Sequence, residues 1–431
     1  MKKFDYRSLN QSQRNALLKR PGGEFTDIMP TVKEVLLGVS QRGDDGVRQY
    51  SRQFDGVDLS SFRPTEDEFA RAKSSLQEDT KQAILDAAVS IRTYHAAQFP
   101  QSIEIQTRPG VECRLEWRPI HRVGLYVPGG SAPLVSTLLM LAIPARIAGC
   151  EEIVLCTPPQ RDGSVSNEIL FAADELGIHS LFKIGGAQAV GAMACGTETV
   201  PKVDKIFGPG NRYVSAAKAL VALPPYNVPI DMIAGPTELL IIADNSSDPK
   251  WIASDLLSQA EHGVDSQVVL VTPSSSLASS VEQNIEEQLS SLPRSTIARQ
   301  ALESSAIILV GSVDEAIEFS NQYAPEHLII ATDSASSLTG KITNAGSVFL
   351  GPLTSVVFGD YASGTNHTLP TGGSASATGG LTVGSFMKPI FFQTVTEKGL
   401  NSLAKTTAIL AEAEGLEGHA RAARMRGTYR D

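Results

Sequence analysis

The sequence predicts an α/β protein built on parallel sheets, and three observations carry that prediction. Short, unbroken apolar segments recur from residue 123 onward, helix-length amphipathic runs separate them, and glycine-rich turns stand where several of them end. Strands covered by helices on both faces lose the alternation of a half-exposed sheet, so continuous apolar runs between helices read as βαβ units.

The elements follow in order. The first hundred residues read as helical, with amphipathic spacing over 32–38 and 45–54 and apolar residues Phe69, Ala72, Ile84, Ala87 and Ile91 recurring at helical intervals over 65–98. Thr65 three residues before Glu68 is a capping-box pattern at a helix start. Strand-like segments come next at 102–106, 113–118 and 123–127. Further strands are expected at 152–156, 181–184, 205–207, 238–243, 267–272, 306–310, 327–331 and 346–350. Helices are expected between them at 135–148, 168–176, 187–194, 213–222, 251–261 and 276–292. A Pro/Gly-rich stretch at 224–237 splits the strands into two groups, which predicts two α/β layers. The run TGGSASATGG at 371–380 is the nearest thing to a linker, and helix returns over 401–425 with breaks at Gly415 and Gly418.

A chain of 431 residues has room for two or three domains. Its net charge of −10, with no basic run, excludes nucleic acid or an anionic membrane as the main partner. The most apolar stretch, 132–149, is interrupted by Pro133, Ser136, Thr137, Pro144 and Arg146 and does not read as a membrane span. The N-terminus lacks the apolar core of a secretion signal. Cys113, Cys150, Cys156 and Cys195 are scattered, as expected of small buried side chains in a reducing compartment. A cytoplasmic protein is expected.

Three turns follow strands: VPGGS at 127–131, IGGAQ at 184–188 and FGPGN at 207–211. Such turns expose backbone N–H groups that can hold an anion, yet none completes G-x-G-x-x-G, and no P-loop motif occurs. Singly each is a tight turn; together at strand ends they favour a nucleotide. In DLLSQAEHG (255–263), Gln259 and His262 share a helical face near its end, an unusual but chemically workable pair for zinc. Glu326 and His327 stand side by side just before an apolar strand and can both move protons. The run GDYASGTNHTLP (359–370) gathers Asp360, Asn366 and His367 in a glycine-punctuated loop. Glu414 and His419 lie at a break in the C-terminal helical tail, by position alone a solvated feature, and His95 and His179 read as surface histidines.

Taken together these motifs resemble histidinol dehydrogenase. The resemblance runs from about Gly22 to Arg424 and rests on RVGLYVPGGSAPLVSTLLMLAIPA, GGAQAVGAMACGTETVPKVDKIFGPGN, DMIAGPTE, SDLLSQAEHG, NQYAPEHLII and GDYASGTNHTLPT, in order. It implies two Rossmann-like parallel-sheet domains with small helical N- and C-terminal segments, in an intertwined homodimer. The expected division is a helical segment 1–24, a first α/β domain of 25–122 with 238–378, a nucleotide-binding α/β domain 123–237, and a C-terminal segment 379–431 reaching the partner subunit. It also implies two successive NAD-dependent oxidations of L-histidinol, through the aldehyde, to L-histidine, with one zinc ion per site.

Carried across residue by residue, Gln259, His262, Asp360 and His419 match the zinc ligands, a nitrogen and oxygen set within that metal's range. His327 matches the base for the hydroxyl proton and Glu326 the group that activates water to hydrate the aldehyde. His367, Glu414 and Thr237 match substrate contacts, alongside the zinc ligands and His327; Thr237 stands where serine is common in the family. Tyr126, Gln188 and Asn211 match nucleotide contacts. Glu414 and His419 are implied to reach the other subunit's site. The segment 352–358 (PLTSVVF) is more apolar than in many members. Two other readings of the residues remain open at this point: a zinc- and NAD-dependent dehydrogenase of another small polar alcohol or diol, and a zinc hydrolase using Glu326 without a nucleotide.

Overall fold

The protein is described by a computed structural model over residues 1–21, 25–129 and 134–426, so Gly130 and Ser131 of the first glycine turn lie outside the described residues. In chain order its strands are β1 Lys2–Asp5, β2 Ile103–Arg108, β3 Val111–Pro119, β4 Arg122–Tyr126, β5 Glu152–Thr157, β6 Leu181–Lys183 and β7 Lys205–Phe207, followed by β8 Glu238–Ala243, β9 Gln267–Thr272, β10 Ala306–Leu309, β11 His327–Ala331, β12 Ser347–Leu350 and β13 Met387–Val395.

Two of the three sheets are parallel. One has four strands in the order β6-β5-β4-β7; the other has six, β1-β10-β9-β8-β11-β12. Every residue of β8, β9 and β11 is buried, the physical reason these strands show no polar alternation. A third, antiparallel sheet, β13-β3-β2, pairs Met387–Val395 with Val111–Pro119. The chain is thus an α/β protein with parallel sheets and helices.

Several local expectations hold in detail. Glu68 N donates to Thr65 Oγ1 at 3.2 Å and Thr65 N to Glu68 Oε2 at 2.7 Å, completing the capping box of the helix Glu66–Ser75. The runs 32–38 and 45–50 belong to one helix, Met29–Tyr50, bent where Gly43 takes φ +55°, and residues 51–54 continue it in the π-helical turn Ser51–Asp55; a residue with a side chain resists the left-handed conformation of Gly43. The run 65–98 divides into Glu66–Ser75 and Glu78–Ala96.

Four expectations need correction. The N-terminal segment opens with a strand, β1, which pairs with β10 through Lys2–Asp5; an edge strand with one apolar residue leaves almost no periodic trace. The C-terminal segment contains β13, whose Pro389 argues for helix no more than for strand and is tolerated because β13 is an edge. The run 371–380 is no free linker: Thr371 Oγ1 accepts from Gly235 N, and Gly372 N donates to Glu238 Oε1. The helices of residues 29–96 pack on the four-stranded sheet, with Val32, Leu36 and Val39 against one face and Ala72, Ile84 and Ile91 against the other, whereas the sequence grouped them with 238–378.

Candidate active site between two sheet edges

The starts of β8 and β11 lie side by side, with His327 opposite Leu239 in register. The polar residues preceding them, Thr237 and Glu326, are therefore forced together at the N-terminal edge of the six-stranded sheet. Glu326 Oε2 accepts from Thr237 Oγ1 at 2.7 Å and from Glu238 N at 2.8 Å. His327, 3% exposed, directs Nδ1 at Glu238 O, 3.0 Å away. A carbonyl only accepts, so Nδ1 carries a proton whatever the charge of the ring, and Nε2 is the nitrogen that gains or gives up the second proton. That Nε2 is buried and has no hydrogen-bond partner among the described residues; Asp360 Oδ1 lies 3.6 Å from it.

Burial alone pushes the His327 pKa down, but the carboxylates of Glu326 and Asp360 outweigh it and hold the ring well above its ordinary value. The same charges stabilise the imidazolium that forms when the ring takes a proton. The backbone enters this site through Ala324, a non-glycine residue in the left-handed region at φ +49°, which closes the preceding helix and turns the chain toward Glu326.

The helix Pro249–Ala260 runs back from the far end of β8 and brings its last turn to the same edge. Gln259 Oε1 lies 3.0 Å from Thr237 Oγ1, whose single proton has the shorter contact to Glu326, and Gln259 Nε2 donates to Asp360 Oδ2 at 3.1 Å. His262 follows in the next turn and lines a cavity of about 1210 Å³ together with Thr237 and Asn211. The short helix Val356–Tyr361 carries Asp360, where the sequence read a loop, and the irregular segment after it closes the arrangement: His367 Nδ1 donates to Asp360 O at 2.8 Å, and its Nε2 lies 3.3 Å from Thr137 Oγ1. Gln259, Asp360, Glu326, His327, Thr237 and His367 thus form one cluster.

A second cavity, of about 780 Å³, opens at the C-terminal end of β4 and is lined by Tyr126, Gln188, Asn211 and Asp55. From β4 the chain proceeds to β5 on one side and later returns to β7 on the other, so this is the switch point where open parallel sheets leave a crevice. Tyr126 OH accepts from Gly186 N at 3.1 Å. Asn211 Oδ1 accepts from Tyr213 N and Val214 N, capping the helix Arg212–Val221. Asn211 borders both cavities, so the crevice and the acid–base cluster adjoin.

Glu414 and His419 are not brought to this cluster within one chain. They are exposed on the hairpin of helices Glu397–Ala413 and Glu417–Arg426, which packs mainly on itself and on β13. Among the described residues no three His, Cys, Asp or Glu side chains converge as a metal cluster.

Other contributors escaped the sequence reading. His95, read as a surface histidine, is fully buried: Nδ1 bonds Ile91 O at 2.8 Å, and Nε2 accepts from Asn366 Nδ2 at 3.2 Å, tying the His367 loop to the helix Glu78–Ala96. Arg20 stacks over Tyr323 and donates to Glu238 Oε2 at 3.1 Å, steadying the strand start that positions His327 and Glu326. No motif announced these residues, because each works through partners more than two hundred positions away, except His95's tie to its own helix.

The family model for histidinol dehydrogenase matches residues 18–427. Histidinol dehydrogenase of Pectobacterium atrosepticum is 50% identical over 98% of this chain and 95% of its own. A protein of Photorhabdus laumondii named as a histidine biosynthesis bifunctional protein is 51% identical over 98% of this chain, which spans about half (52%) of that longer relative. The crystal structure of histidinol dehydrogenase from Elizabethkingia anophelis superimposes with a TM-score of 0.95 at 45% identity, covering 99% of this chain and 98% of that one. With motifs, fold and whole-chain similarity in agreement, the chain belongs to the histidinol dehydrogenase family.

Proposed function

We propose that this protein oxidises L-histidinol to L-histidine through L-histidinal in two successive NAD-dependent steps, the end of histidine biosynthesis, as a cytoplasmic enzyme. The observation that carries the reading is the pairing of His327, with Nε2 as its proton-exchanging nitrogen, with Glu326, held by Thr237 Oγ1 and Glu238 N, beside a crevice suited to a dinucleotide.

The groups implied by the family fit the residues present. The orphaned Gln188 Oε1 borders the crevice, where Tyr126, Gln188 and Asn211 would hold NAD. Gln259 Nε2 touches Asp360 Oδ2, and Asp360 acts electrostatically on His262, which lines the other cavity; with the Gln259 amide turned to present Oε1, these residues would offer two oxygens and an imidazole, a set suited to zinc. NAD supplies a hydride acceptor twice per substrate, and zinc an anchor for the substrate's imidazole and amine. In the first oxidation His327 takes the hydroxyl proton at Nε2 as the carbinol loses hydride. Between steps Glu326 takes a proton from water as its hydroxyl adds to the aldehyde carbon, and the carbonyl oxygen takes the proton that His327 gained in the first oxidation, which gives the gem-diol and frees His327. His327 then takes a proton from that diol as the second hydride departs. Adjacent residues of different basicity divide the work. His367, on the loop beside Asp360, contacts the substrate.

The fourth zinc ligand, His419, and the substrate contact Glu414 would come from a second copy of the chain. Supporting this, the arm that carries them leaves large apolar side chains in water: Phe391 is 73% exposed, Leu410 59% and Met425 80%. Such surface is ordinarily covered in an obligate dimer.

The direct test is NADH formation from L-histidinol, before and after zinc is stripped and restored, with the product identified. Zinc-dependent turnover ending in histidine is expected. Turnover of other amino alcohols but not histidinol would overturn the substrate assignment, and turnover without NAD the reaction class.

A further inference from the structure

Gln188 lies at the start of the helix Gly186–Cys195, 1% exposed, and its two amide atoms have different surroundings. Nε2 donates to Asp55 Oδ2 at 3.0 Å, whereas Oε1 is buried without any partner among the described residues. A carboxylate accepts and an amide nitrogen donates, so this bond leaves no choice about which way the amide faces. The space beside Oε1 stays open because residue 186 is glycine: a Cβ there would stand 2.6 Å from Oε1, and its φ of +61° disfavours any side chain. An acceptor buried without a donor is costly, and here it borders the crevice.

Asp55 comes from the distant end of the helical segment after Met29–Tyr50 and lines the same crevice. It lies close to the N-terminus of Gly186–Cys195, where a Cβ on Gly185 would be 3.2 Å from Asp55 Oδ1. The first helical N–H, that of Gly186, is taken by Tyr126 OH. The positive end of this helix is therefore already served by the chain's own carboxylate and phenol, and a second anion there would meet Asp55. Burial raises the Asp55 carboxyl to about 6, so it is ionised at neutral pH.

We propose that Asp55 is a positioning and specificity residue for the dinucleotide: it locks Gln188 with Oε1 as an acceptor, so this end of the crevice takes an uncharged, donor-bearing part of the nucleotide and disfavours an added phosphate. The assignment rests on the NAD reading above. It adds a residue distant in sequence from every glycine turn, and it makes the preference for NAD over its 2′-phosphorylated form a property of one carboxylate.

The experiment titrates NAD and NADP into the purified full-length protein by calorimetry and follows the kinetics in parallel. Asp55→Ala frees the Gln188 amide to turn, so the NAD Kd and KM rise about tenfold while kcat at saturating NAD stays near wild type. Asp55→Asn keeps an acceptor for Gln188 Nε2 and removes the charge, so NAD affinity recovers and the NAD-to-NADP ratio narrows at least threefold. In a Gln188→Leu background, Asp55→Ala changes NAD affinity no further. Wild-type NAD binding by Asp55→Ala, no rescue by Asp55→Asn, or an unchanged NAD-to-NADP ratio in Asp55→Asn overturns the proposal. Failure of the wild-type protein to bind NAD at all would instead overturn the NAD reading on which it rests.

Discussion

Glu326→Gln separates the two oxidations. In the structure both hydrogen bonds to Glu326 fall on one oxygen, from Thr237 Oγ1 at 2.7 Å and Glu238 N at 2.8 Å. A glutamine presenting its carbonyl oxygen there keeps both donors satisfied, so the fold and the His327 geometry survive. What weakens is the charge assistance of two hydrogen bonds, about 1 kcal/mol each. What disappears is the capacity to accept a proton from water, and loss of a general base slows a step by ~10²–10⁴-fold, about 3–5 kcal/mol of barrier. The first oxidation needs His327 rather than Glu326 and should stay within about tenfold of wild type. The assay mixes the variant with limiting L-histidinol and excess NAD and follows absorbance. One equivalent of NADH should form quickly and the second at least 100-fold more slowly, and L-histidinal supplied directly should show the slow phase alone. Two equivalents at wild-type rates, ending in histidine, would refute the division of labour.

Three further outcomes follow from the geometry. Protomers carrying His262→Asn mixed with protomers carrying His419→Asn should recover part of the activity, since one site in each heterodimer is intact; no recovery after verified subunit exchange would count against a shared site. Lys218 and Asp231 form a buried ion pair that brackets the Gly208 peptide, Lys218 Nζ donating to Gly208 O at 2.6 Å and Gly208 N to Asp231 Oδ2 at 2.8 Å. Lys218→Met strands that carboxylate and should lower unfolding stability by ~3–5 kcal/mol, part of which a second change, Asp231→Asn, restores; equal denaturant midpoints would refute it. Asp255 is a carboxylate raised by burial to about 6 from 3.8, against the pull of Ser355 and the Val356 N–H. The folded chain then holds this proton more tightly than the unfolded chain, so stability from this group is present at low pH and is lost as pH rises through about 6, by roughly 3 kcal/mol in all. Asp255→Asn should therefore melt higher than wild type, by a margin that grows as pH rises from 3.8 to about 6 and levels off above that; a pH-independent margin across that window would contradict the assignment.

The sequence by itself determined the α/β class, most strand positions, the capping box at Thr65 and the motifs that mark the family, because each is written in neighbouring residues. Buried parallel strands such as β8 and β11 must be apolar throughout, and a helix start needs its cap within four positions. The adjacency of Glu326 and His327 was legible for the same reason. Tertiary structure alone decided that the cluster sits at the N-terminal edge of the six-stranded sheet, since only the pairing of β8 with β11 brings Thr237 and the Glu238 backbone onto Glu326 and His327. Likewise β1 and β13, edge strands with little periodicity, took their form from the partners they found in β10 and β3. His95 looked like a surface histidine until the loop bearing Asn366 folded over it, and Asp55, which no sequence motif marks, takes its place at the crevice only through its bond to Gln188. A side chain's neighbours in sequence set its local conformation, but its hydrogen-bond partner and its exposure to water are set by residues hundreds of positions away, and those two properties decide what its chemistry can do.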